Sequence, residues 1–180
     1  MGNKIVRLVL AIFIVAALGT GIYMILPGQY KNPLTETFQS MTNKYDKEAV
    51  STLKKADVPG HKGVTFDKMM TSATANPAWV VKNSSINKDT GTGTMVLEAH
   101  GYKATISMTD AIQTDSTNTY TNVPVTLNFN VTMTKGKVTA VKFASVIVEE
   151  TTFHEGVKTN NEDIYFQGTL DSMCSNISAN

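Results

Sequence analysis

Three histidines, two adjacent acidic pairs, one cysteine and one glycine-threonine run are the residues of this chain with chemistry to offer. His61, His100 and His154 stand far apart in sequence, none with a second ligand at the short spacings that zinc sites use, so no metal and no cofactor is expected. The chain has no Gly-x-Ser-x-Gly elbow, and a hydrolytic site would require His100 to meet Asp110 and Asp115 in space. Glu149-Glu150 and Glu162-Asp163 pair carboxylates, as general acid-base work does, but neighbours on a strand point to opposite faces, so solvation is the expectation for both. The run Thr90-Gly91-Thr92-Gly93-Thr94 has the glycines of a phosphate loop. Such loops open a helix whose N-terminus holds the phosphate; a strand pattern follows here, so a hairpin turn is expected. Cys174 has no partner cysteine, which excludes an intrachain disulfide and leaves an inert, half-buried thiol on a terminal helix as the expectation. The residue types together predict a non-enzymatic protein.

The elements that would position these residues follow from hydrophobic period. Asn32-Pro33 reads as a helix start, and Leu34, Phe38, Met41, Tyr45, Ala49 and Leu53 recur at steps of three and four, predicting an amphipathic helix to about Lys55 that Asp57-Val58-Pro59-Gly60 ends. Thr65 caps a second, shorter helix carrying Phe66, Met69, Met70 and Ala73, stopped by Asn76-Pro77. The period then changes to two. Trp79-Val80-Val81 begins one strand. Met95, Leu97 and Ala99 form another, and Tyr102, Ala104, Ile106 and Met108 a third beyond the interruption at Gly101. Residues 110 to 122 read as a polar loop. Val123 to Met133 alternates most cleanly, turns at Lys135-Gly136 and returns through Val138 to Glu150 as an antiparallel hairpin, with a slip in the second strand that predicts a bulge or a strand covered on both faces. After a polar connection over 151–161, Ile164, Tyr165, Leu170 and Met173 share one side of a C-terminal helix that starts at the acidic Glu162-Asp163. The expected fold class is α+β: an N-terminal transmembrane helix, two helices, an antiparallel sheet of four or more strands and a C-terminal helix, with the helices packed on the sheet.

The transmembrane expectation rests on the uncharged run from Leu8 to Leu26, which includes Ile12, Val15, Leu18 and Ile22. A helix of that length is about 28 Å, close to the roughly 30 Å hydrocarbon core of a bilayer. The run outlasts the 7 to 15 apolar residues of a signal peptide, so an uncleaved anchor is favoured over cleavage near Ala17-Leu18-Gly19, and no cysteine follows it for a lipoprotein anchor. Lys4 and Arg7 precede the span, which by the positive-inside rule leaves residues 1–7 as a cytoplasmic tail, 8–26 in the inner membrane, 27–32 as a linker and 33–180 as an extracytoplasmic domain. Ala17 and Gly21 are spaced for close helix-helix approach, so an oligomer is one possible outcome. Removing Lys4 and Arg7 leaves 14 lysines against 15 acidic residues and no arginine. Nucleic-acid binders rely on a basic excess and on arginine forks, so nucleic acid is excluded as a partner class. The expected partners are the bilayer and envelope proteins, with a small ligand under the first helix as the alternative.

Three resemblances complete the reading. Thr65-Phe66-Asp67, Asn76-Pro77-Ala78-Trp79, the strands around Gly101 and the long hairpin together resemble small, often membrane-tethered bacterial domains with a Phe-Asp, Pro-x-Trp and hairpin pattern, to which no activity is assigned. The plan of short tail, single span, helices, antiparallel sheet and terminal helix is similar to the VirB8-like inner-membrane subunits of secretion machines, which implies a role in assembly. Separately, Glu162-Asp163-Ile164-Tyr165-Phe166-Gln167-Gly168 resembles the recognition site of the tobacco etch virus protease. Three stretches, Asn83-Ser84-Ser85, Asn130-Val131-Thr132 and Asn176-Ile177-Ser178, match glycosylation sequons.

Overall fold

The computed structural model describes residues 44–109, 116–175 and 177. The order is helix α1 (Lys44–Lys55), a small hairpin β1 (Asp57–Val58) and β2 (His61–Thr65), helix α2 (Phe66–Ala73), strands β3 (Ala75–Ser84), β4 (Gly93–Thr109), β5 (Thr117–Thr134), β6 (Lys137–Val148) and β7 (Thr151–His154), a 3-10 turn, and helix α3 (Glu162–Cys174). β3 to β7 form one antiparallel sheet in chain order. The fold class is therefore α+β, with five strands in the main sheet. No helix among the described residues is long and apolar enough to cross a membrane, and the run from Leu8 to Leu26 lies outside those residues.

The helices form where the periodicity places them. The Thr65 hydroxyl accepts the Lys68 amide and caps α2, presenting Phe66, Met69 and Met70 to the core. α1 buries Tyr45, Ala49 and Leu53; the part of the expected helix before Lys44 lies outside the described residues. The core centres on Phe129, whose ring meets Phe66 edge-on at 4.9 Å and stacks with Phe143 at 4.7 Å; Phe166 of α3 packs on Phe143 at 4.8 Å. Aromatic pairs of this geometry contribute roughly 0.5–1.5 kcal/mol each beyond area burial.

Several elements depart from expectation. The runs on either side of Gly101 are one bent strand, β4. Facing bulges, with Lys103 on β4 and Asn122 on β5 at positive φ, insert one residue in each strand, so the buried parity switches from Leu97 and Ala99 to Ala104 and Ile106 without breaking the ladder. Gly101 sits where the end of α2 crosses β4: a Cβ there would collide with the Thr74 side chain. The expected polar loop over 110–122 is shorter than read, because β5 begins at Thr117 and pairs Thr117 with Thr109. The connection over 151–161 contains β7, and the stretch after α1 contains β1 and β2; both are runs too short for a periodic signal. The slip in β6 is two bulges against β5. On α3, Ile164 is 53% exposed and Phe166 takes its expected place in the core.

Candidate functional site

Helices pack on one face of the sheet, and alternation sends the intervening residues of each strand to the other. On that open face the register sets Glu98 opposite Asn128 and opposite Val80, His100 opposite Thr126, Val96 opposite Asn130, and Asn128 opposite Ser145. These residues are ordered by one another. Glu98 Oε2 lies 3.0 Å from His100 Nε2 and 3.8 Å from Lys82 Nζ, His100 Nδ1 lies 3.0 Å from the Thr126 hydroxyl, and the Asn128 amide donates to Ser145 Oγ at 3.0 Å. The Glu98 and His100 side chains are 18% and 17% exposed, so both reach solvent from a largely enclosed setting. Burial pushes the Glu98 carboxyl up, but the His100 hydrogen bond and charge together with Lys82 outweigh it and hold Glu98 below the usual carboxylate range.

Carboxylate, imidazole and hydroxyl thus stand in the order used to activate a nucleophile. The imidazole stands between the two, with Nε2 toward the carboxylate and Nδ1 toward the hydroxyl. The expected hydrolytic partners Asp110 and Asp115 lie outside the described residues. Thr126 is a β-branched alcohol on a regular strand rather than a nucleophile exposed on a strained turn, and the adjacent amide of Asn128 is spent on Ser145.

Beside it a shallow groove of about 410 Å³ runs between the ends of β3 and β5, lined by Asn83, Ser84, Ser85, Thr94, Asn130 and Thr132 over Val96. Its lining is uncharged and rich in hydroxyl and amide groups. The Ser85 hydroxyl is already tied to Thr94 at 3.0 Å. Two of the three sequons, at Asn83 and Asn130, fall on this groove.

The remaining candidates resolve into structure. His61 Nε2 meets Asp171 at 2.8 Å, and His154 Nδ1 meets Glu162 at 2.6 Å. The Asp163 carboxylate accepts the Gly156 amide at 2.7 Å, so Glu162-Asp163 fasten the preceding loop rather than standing solvated. In the glycine run, the amides of Asp89 and Thr90 donate to Asn87 Oδ1 and that of Gly91 to the Asn87 carbonyl, which consumes the donors a phosphate would need. The run is a turn, as expected, with Gly91 at positive φ under the Tyr45 ring. Cys174 is buried, and burial with the nearby Asp171 pushes its thiol up to about 11. No group of three metal-ligating side chains exists among the described residues. The anchor residues Leu8, Ile12, Val15, Leu18, Ile22 and Leu26, and the pair Ala17 and Gly21, lie outside them.

Sequence reasoning missed the open-face cluster because its members come from four strands. The available signal was the alternation itself: Thr126, Asn128, Asn130 and Thr132 opposite an apolar set on the same strand marked a polar face. Comparison of the chain with protein-family models, with curated proteins and with solved structures yields no match.

Proposed function

We propose that this chain is a single-span, membrane-anchored protein whose extracytoplasmic α+β domain makes non-enzymatic contacts with protein partners in a bacterial envelope, and that the open sheet face is the contact surface. The observation that carries the reading is the face itself: β3 to β6 present two ordered polar groups, Lys82, Glu98, His100 and Thr126 held by ion pairs and a hydrogen bond, and Asn128 bonded to Ser145, without a packed helix of the described residues over them. Such pre-ordered polar side chains bind with little further loss of rotamer freedom. The apolar run from Leu8 to Leu26 supports the anchor by its length and its basic N-terminal flank. A photo-crosslinking residue at Asn128, activated in intact membranes, is expected to trap a discrete partner; recovery of uncrosslinked chain alone would overturn the reading. A second reading, a small polar ligand, is favoured by the groove between Asn83 and Thr132. A thermal-shift series with neutral sugars and amides would raise the melting temperature under that reading and leave it unchanged under the first.

A further inference from the structure

The hairpin of β5 and β6 ends the sheet unevenly. β7 pairs only with Ser145 to Val148, and the chain leaving β7 contributes one more bond, from the Glu155 amide to the Ala144 carbonyl. From Val138 to Phe143, β6 therefore has β5 on one side and, among the described residues, no strand on the other. Over a stretch of about 20 Å, alternate residues turn their N–H and C=O groups outward. Thr139, Ala140, Val141 and Lys142 are exposed, and Val141, at 38%, is one of two large apolar side chains exposed among the described residues.

Charge is one-sided there. Between Ser116 and Val148 the chain has no acidic residue, and its charged residues are Lys135, Lys137 and Lys142. Glu48 of α1 meets Lys137 at 3.1 Å, while Lys135 and Lys142 have no acidic partner among the described residues. Lysines on a sheet edge guard it against like edges. A second copy docked edge to edge would bring both lysine sets to one seam, where like charges destabilise pairing. An acidic strand meets the opposite sign at Lys142 within the edge and at Lys135 beside its start. We propose that the Val138–Phe143 edge of β6 is a strand-addition site for an extended, acidic segment of a partner protein, with β-branched residues to cover Val141. This rests on the protein-contact reading above and names the partner's chemistry.

The test uses the full chain in detergent and a synthetic peptide alternating Glu with Val and Thr. The peptide is expected to slow amide exchange at residues 138–143 by at least tenfold, and a version with Lys in place of Glu to bind at least tenfold more weakly. Reversing Lys135 and Lys142 to Glu should exchange the two preferences. Proline is placed in turn at Ala140 and at Val141. Neighbouring amides on a strand point opposite ways, so one variant keeps the melting temperature and loses the peptide, and the other breaks the β5 ladder and loses stability. Equal binding of the two peptides, protection mapping elsewhere, or a stable proline variant at each position with binding intact would overturn the proposal. In intact membranes, a crosslinker at Ala140 separates it from the broader reading: crosslinks at Asn128 but not at Ala140 overturn the edge site alone, and crosslinks at neither overturn both.

Discussion

The seven residues that match the tobacco etch virus protease site lie inside α3, where Phe166 is 2% exposed and Leu170, three residues beyond Gln167, is fully buried. Proteases cut extended, accessible chain, so cleavage between Gln167 and Gly168 requires α3 to unwind and leave the sheet. When opening and closing are fast relative to cutting, the rate tracks the open population. Leu170→Ala removes a buried side chain from the α3–sheet contact without touching the recognised residues, and a change of this kind costs about 2–5 kcal/mol. At 1.4 kcal/mol per factor of ten, the variant should be cut roughly 30-fold to several thousand-fold faster than the parent. The assay is gel densitometry of the folded chain at fixed protease, with peptides spanning 160–175 in both forms as the intrinsic-rate control; these should be cut equally. Cleavage of the parent at the peptide rate would show that α3 is not docked. A Leu170→Ala variant that melts lower but is cut no faster would refute the requirement for unwinding.

Three further outcomes follow from particular contacts. Gly101→Ala places a methyl against Thr74 and should cost about 1–3 kcal/mol in urea denaturation, with Thr74→Gly in the same chain restoring part of the loss. Glu98 has a folded pKa below its ordinary value of 4.5, so its contribution is fully present above that value and lost as pH falls through the folded one. Glu98→Gln should therefore melt lower than the parent at pH 7, and the gap should close in acid; a gap that widens below pH 4 would contradict the assigned direction. For Cys174, a thiol at about 11 against an ordinary 9.0 holds about 100-fold less thiolate. Its reaction with a disulfide reagent at pH 8 should be at least that much slower in the folded chain than in urea, and rapid labelling of the native protein would show the site to be open.

Within the described residues, what the sequence determined by itself was every element long enough to repeat its period. α2 with its Thr65 cap, the β5–β6 hairpin with its turn at Lys135-Gly136, and α3 starting at Glu162 all stand where alternation and helical spacing place them. Burying one face of an element is a local demand, and it leaves a local imprint. The facing bulges at Lys103 and Asn122 show where that imprint ends: both sides of Gly101 were legible as strand, but whether they were one strand or two depended on β5 lying opposite with a matching insertion. β7 and the β1–β2 hairpin are held by their partners rather than by their own pattern, and Ile164 lost its expected place because the rotation of α3 is set by Phe143 receiving Phe166. The candidate site was decided by tertiary structure alone. Glu98, His100 and Thr126 meet through a cross-strand register that no single stretch encodes, and the edge of β6 has no outer strand among the described residues because β7 stops after four residues.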